Sequence, residues 1–155
     1  VIVGGVATGA VTGGVGPNFG AVLGVRADFK PLSLEGRARG SLANSGNLDL
    51  DINQRALGVD LTVLKLYDPG YLSLGFGFRT AMDWVEQRFD TRGQAPARSS
   101  VVGRAAPVLR IEKAIGANTS IIGSAFVDGA LINRPAGREL VALPGGEIGL
   151  TVVFQ

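Results

Sequence analysis

The chain contains no cysteine and no histidine. Without cysteine there is no disulfide, no thiolate nucleophile and no thiolate metal site. Without histidine, the commonest general base and the commonest metal ligand are both missing. Any chemistry would fall to Asp, Glu, Lys, Tyr, Ser or Thr, and no spacing among them singles out a catalytic pair. The sequence therefore reads as a non-enzyme, with no catalytic residues, no cofactor-binding motif and no metal site. Charge is scarce too. Charged residues make up 18 % of the 155 positions, where a soluble domain carries about a quarter. The formal net charge of +2 offers no electrostatic footprint for nucleic acid.

Glycine, by contrast, is abundant at 24 residues, and the dominant period of the chain is two. In residues 19–30, Phe19, Ala21, Leu23, Val25, Ala27 and Phe29 share one parity, against Arg26, Asp28 and Lys30 on the other. In residues 32–42, Leu32, Leu34, Gly36, Ala38, Gly40 and Leu42 oppose Ser33, Glu35, Arg37, Arg39 and Ser41. Residues 71–84 set Leu72, Leu74, Phe76, Phe78, Met82 and Trp84 against Ser73, Arg79 and Asp83. Residues 101–112, 119–132 and 145–155 repeat the alternation, the last with Ile148, Leu150, Val152 and Phe154. Side chains alternate between the faces of a strand, so each segment has one apolar and one polar face. Residues 47–66 alternate with a slip of phase near Asn53-Gln54-Arg55, which reads as a β-bulge or as a loop leading to a segment outside the membrane.

Turn signals divide the chain into eight strands within one domain, 1–155. They fall at Gly13–Asn18, Lys30-Pro31, Asn44–Asn47, Asp68-Pro69-Gly70, Asp90–Ser99, Gly116-Ala117-Asn118 and Asn133–Gly146. The second, fourth and sixth are tight, and the fifth and seventh are long. This is the signature of an all-β fold, an antiparallel up-and-down barrel with one short-looped end. The glycines of residues 1–25 also fit a helix-packing spacing, with Gly5, Gly9 and Gly13 four apart. Eight glycines and Pro17 in that stretch disfavour a helix.

Strict alternation suits two kinds of barrel. A soluble, lipocalin-like barrel turns its apolar face inward around an apolar ligand, and a membrane barrel turns it outward. Strands of roughly ten apolar-faced residues match a tilted bilayer crossing, and open sheet edges cannot sit in lipid, so such a sheet must close. On the membrane reading, Phe19, Leu23, Leu34, Leu74, Phe76, Phe78, Ile148, Leu150, Val152 and Phe154 face lipid. The interior then holds a charge network of Arg26, Asp28, Glu35, Arg37, Arg39, Arg79, Arg104, Arg110, Glu112 and Glu147. Within it, Arg37, Arg39, Arg104 and Arg110 are expected to pair with Glu35, Asp28, Glu112 and Glu147 across a plugged lumen, since unpaired buried charge is costly. A narrow pore is the alternative use of the same charges.

The alternating last strand, closing on an aromatic, resembles the small eight-stranded outer-membrane barrels, the family that includes the transmembrane domain of outer membrane protein A. The resemblance lies in pattern and covers most of the chain. It implies a bacterial outer-membrane location and a structural or anchoring role, with membrane lipid as partner. In that family such a strand, ending in an aromatic, is recognised by the barrel-assembly machinery. Here Gln155 follows Phe154 and displaces that signal by one residue. The aromatic girdles are thin, with Trp84, Tyr67 and Tyr71 alone beside phenylalanine. Tyr67 and Tyr71 flank the Asp68-Pro69-Gly70 turn, where a periplasmic-side girdle sits.

Two further surfaces suggest partners. One is an outward wall of small residues, Gly36, Ala38, Gly40, Gly103, Ala105, Gly123 and Ala125, expected to dock on a second copy or another envelope protein. Relief of strain in a tightly curved barrel explains the same residues. The other is basic: Arg92 and Arg98, with Arg134 and Arg138, lie in the two long connections, either as an ordinary solvated surface or as a contact for lipopolysaccharide or a protein. Pro107, which has no N–H to give to a ladder, is expected to mark a bulge.

Overall fold

A computed structural model describes residues 1–8, 17–47, 50–89, 97–134 and 137–153. These form the strands β1 (Ile2–Thr8), β2 (Asn18–Phe29), β3 (Leu32–Asn47), β4 (Leu50–Tyr67), β5 (Ser73–Phe89), β6 (Arg98–Ala114), β7 (Thr119–Arg134) and β8 (Gly137–Val152). Each strand pairs antiparallel with the next, and β1 pairs with β8, so the sheet closes into a barrel with no free edge. At the seam, the Val1 amine donates to the Val152 carbonyl at 2.7 Å, and Val152 N–H donates to Val1 O at 2.8 Å.

The closure is staggered. Val3 starts a row of paired residues through Leu23, Ala38, Val59, Met82, Gly103, Leu131 and Leu140. Yet Val3 itself pairs with Leu150, ten residues beyond Leu140 on β8. A stagger of ten over eight strands tilts them about 40° from the barrel axis. The turns at 30–31, 68–72 and 115–118 lie at one end, with Val1 and Val152, called here the terminal end. The opposite, loop end holds the connections after β1, β3, β5 and β7.

Parity sorts the side chains by face. Phe19, Leu23, Leu57, Val59, Leu61, Phe76, Phe78, Met82, Trp84, Leu109 and Ile148 are all exposed on the outside. On β4 the exposed row Leu57, Val59, Leu61, Val63, Lys65 and Tyr67 is apolar except at Lys65 and spans about 25 Å along the axis at that tilt and a rise of ~3.3 Å per residue. This matches the apolar band of a transmembrane barrel. Inside, Val6, Val22, Leu64, Ala106, Val108 and Phe126 form a small apolar cluster, and the remaining inward positions are largely polar.

Several local expectations change. The phase slip at Asn53-Gln54-Arg55 is neither bulge nor loop, because β4 keeps one register with β3 and β5 through it. The outer face turns polar at Arg55 while the strand runs on beyond the apolar band. Pro107 makes no bulge either. The β6–β7 register is the same on both sides of it, and the ladder merely omits the pairs at Ala106 and Pro107. The long seventh connection dissolves, since residues 137–146 are the first part of β8, paired to β7 up to Arg134–Gly137. Asn44–Asn47 likewise belongs to β3. Of the glycines at the four-residue spacing, Gly5 stands in β1 rather than in a helix, and Gly9 and Gly13 lie outside the described residues.

Candidate functional site

The barrel interior concentrates the polar chemistry. Among the described residues, five arginines (Arg37, Arg39, Arg79, Arg104 and Arg110) and five carboxylates (Glu35, Asp60, Asp83, Asp128 and Glu147) are buried there. The set is balanced in sign, which is the condition for holding charge away from water.

The contacts form two runs. In the first, Arg37 donates from Nε to Asp60 Oδ1 at 2.7 Å and from Nη1 to both Glu147 oxygens at 2.8 Å. Arg110 donates to Glu35 from the opposite wall, and its Nε reaches Ser124 Oγ at 3.0 Å. In the second, Arg39 holds Asp83 through Nε at 3.1 Å and Nη2 at 2.9 Å. Arg104 bridges Asp83 and Asp128, at 2.5 and 2.8 Å. Arg79 Nη2 donates to both Asp128 oxygens at 2.9 and 2.8 Å, and its guanidinium lies 3.7 Å from the Phe126 ring centroid. Planar, forked guanidinium groups suit such shared carboxylates. Together the two runs tie β3 to β8 across the lumen, while β1 and β2 offer mainly Ile2, Val6, Val22 and glycines.

Inward glycines make room for these long side chains. A Cβ on Gly24 would stand 2.5 Å from Arg37 Cγ, and one on Gly75 would stand 3.1 Å from Arg110 Cβ. A Cβ on Gly58 would collide with the Asp83 carboxylate, and one on Gly145 with the Phe126 ring. Outward Gly36, Gly103 and Gly123 differ, with nothing within 4 Å of the corresponding position.

The sequence-derived network is thus partly redrawn. Arg37, Arg39, Arg79, Arg104, Arg110, Glu35 and Glu147 are buried together. Arg26 and Glu112 are half-buried near the terminal end, where Arg26 Nη1 donates to Glu112 at 2.6 Å. Asp28 is exposed rather than interior, and it accepts from Arg26 Nε at 2.7 Å. The expected partners Asp28 and Glu112 therefore belong to Arg26. Their places are taken by Asp60, Asp83 and Asp128. Asp83 and Asp128 stand on the polar parity of their strands. Asp60 is opposite Leu57, Val59, Leu61 and Val63, and that parity is the signal that finds it.

Of the outward residues, Phe19, Leu23, Leu34, Leu74, Phe76, Phe78, Ile148 and Leu150 are exposed, and Val152 is half-buried beside the seam. Phe154 and Gln155 lie outside the described residues, as does Arg92. The small-residue wall is not one wall. Gly103 and Ala105 on β6 pair with Leu131 and Gly129, whereas Gly123 and Ala125 on β7 pair with Ile111 and Leu109, so these two small pairs lie on neighbouring strands but apart along them. Gly36, Ala38 and Gly40 on β3 are separated from both by β4 and β5. An apolar ligand inside a soluble barrel finds no extended apolar lining, because buried arginines and carboxylates cross the interior beside one small apolar cluster and most of the large apolar side chains are outside.

Solved structures share this architecture. The attachment invasion locus protein Ail of Yersinia pestis matches with a TM-score of 0.66 at 14 % identity, covering 99 % of this chain and 95 % of that one. Neisserial surface protein A matches at 0.67 and 11 % identity, over 99 % and 94 %. A major outer membrane protein from Thermus thermophilus matches at 0.62 and 13 % identity, over 99 % and 98 %. No family model matches the chain, and no curated protein matches it. The fold is that of the small eight-stranded outer-membrane β-barrels.

Proposed function

We propose that the protein resides in the bacterial outer membrane as a structural, anchoring barrel whose lumen is closed by its own ion pairs. One observation carries the reading: a sign-balanced set of buried charges spans the interior behind an outer face that is apolar for about one bilayer thickness. Eight strands leave an interior just wide enough for side chains to fill, and here arginines fill it. Membrane lipid is the partner of the outer face, through Phe19, Leu23, Phe76, Phe78, Ile148 and their neighbours. Basic residues at the loop end, Arg98 among them, meet the anionic surface of the outer leaflet. The β6–β7 face, with Gly103, Ala105, Gly123 and Ala125, is the docking surface for an envelope partner or a second copy.

Three measurements test this. The folded protein should require detergent for extraction from outer membranes and should change gel mobility on heating. In planar bilayers it should show no steady single-channel conductance. Extraction by salt alone overturns the membrane assignment, and a regular conductance overturns the closed lumen in favour of a narrow pore.

A further inference from the structure

The outer wall of β2–β5 carries a feature unrelated to the interior network. A groove of about 680 Å³ passes over Ala21 and Gly40 between Phe19, Leu42, Leu57 and Trp84. Its floor is open because Ala21 and Gly40 are small, and a Cβ on Gly40 would touch only Leu57 Cδ2, at 3.4 Å. Toward the loop end it reaches Arg55 and Glu86, and a polar cleft lined by Asn44, Asn53, Arg55, Glu86 and Arg88 continues from it.

The ladder makes this continuity quantitative. Gly40, Leu57 and Trp84 form one row, Leu42, Arg55 and Glu86 the next of that face, and Asn44, Asn53 and Arg88 the one after. Successive rows are about 7 Å apart along the strands. The wall thus passes from apolar to charged within one such step, and a second arginine follows in the row after. Glu86 is engaged by Arg88, which donates to its Oε1 from Nε at 3.0 Å and from Nη2 at 2.9 Å. Arg55 is exposed and has no ion-pair partner among the described residues. Among the described residues, two guanidinium groups stand against one carboxylate and leave a positive charge at the head of an apolar groove. A simple interfacial anchor would need the charge but not the groove.

We propose that this groove and cleft bind one lipid A molecule, a phosphate on Arg55 and Arg88 and an acyl chain between Phe19 and Trp84. The assignment rests on the outer-membrane reading above. On that reading, with the terminal end toward the periplasm, the groove opens into the outer leaflet, whose amphiphile is a phosphorylated, multiply acylated glycolipid. The amide of Asn44 lines the place its sugar hydroxyls would occupy.

The test is native mass spectrometry of the folded protein in an uncharged detergent, titrated with bis-phosphorylated lipid A, its dephosphorylated form, or phosphatidylglycerol. One bound lipid A is expected, with roughly tenfold weaker binding for Arg55→Ala or for the dephosphorylated lipid, each losing a charge-assisted contact. Gly40→Phe should fill the groove and weaken binding similarly, whereas Ala125→Phe, on another face, should not. Arg55 is a surface residue, so its variant keeps the heat-modified mobility of the folded barrel. Equal binding by Arg55→Ala, or phosphatidylglycerol binding as tightly as lipid A, overturns the proposal. A protein that fractionates with outer membranes yet binds no lipid A sinks the lipid site alone, and one absent from outer membranes sinks both readings.

Discussion

Arg37 of β3 and Glu147 of β8 meet inside the barrel, one guanidinium nitrogen donating to both carboxylate oxygens at 2.8 Å, although the residues are 110 positions apart. Asp60 takes a second N–H of the same arginine at 2.7 Å. Removing the arginine strands two buried carboxylates, which costs far more than the pair contributes relative to an apolar replacement. Arg37→Met should therefore destabilise the barrel by about 3–5 kcal/mol. Urea unfolding in lipid vesicles, followed through Trp84 fluorescence, measures it. Arg37→Met with Glu147→Gln should lose less than the two single changes together, by about 1–3 kcal/mol. Simple additivity would mean that the two residues are not coupled.

The two classes of glycine should respond differently to one methyl group. Gly24→Ala presses on Arg37 and on the Gly36 carbonyl and should cost about 1–3 kcal/mol. Gly36→Ala meets open space and should stay within about 0.5 kcal/mol of the parent. The same unfolding measurement ranks them, and a reversed order would contradict the inward assignment of Gly24.

Depth in the apolar band gives a third expectation. Leu61 lies midway along the exposed row of β4, and Tyr67 lies at its terminal edge. Leu61→Arg should destabilise by about 2–4 kcal/mol in a bilayer, and Tyr67→Arg by no more than about 1 kcal/mol. Equal costs at both positions would argue against a bilayer around this face.

Docking on the β6–β7 face predicts that Ala105→Leu with Ala125→Leu separates the barrel from whatever co-purifies with it, or lowers its native mass. The bulkier pair stands on the outside and should leave heat-modified mobility unchanged. If native mass and co-purification are also unchanged, the small residues have no partner.

Much of the architecture was legible because strand geometry is local. The parity of Leu32, Leu34 and Leu42 against Glu35, Arg37 and Arg39 places them on opposite faces before any partner strand is known. Where the pattern was read as punctuation, it misled. Arg55 looked like a break because its outer face turns polar, yet hydrogen-bonded strands run past the apolar band without a change of register. Pro144, Gly145 and Gly146 looked like loop, but they sit in β8 opposite Val127, Phe126 and Ala125. Gly145 is small there because the Phe126 ring occupies the space beside it.

By itself the sequence determined eight alternating segments, the absence of histidine and cysteine chemistry, and a mixed-sign polar face. These follow from composition and a two-residue period, which need no long-range information. Which charges meet was decided only by closure. Arg110 finds Glu35, and Asp128 serves both Arg79 and Arg104, because a ten-residue stagger brings inward positions of non-neighbouring strands to one depth. Closure also split the small residues into separate patches on β3, β6 and β7 and set Arg55 above the groove between Phe19 and Trp84. Parity says which face a side chain takes, and only the register and curvature of the closed sheet say what stands across from it.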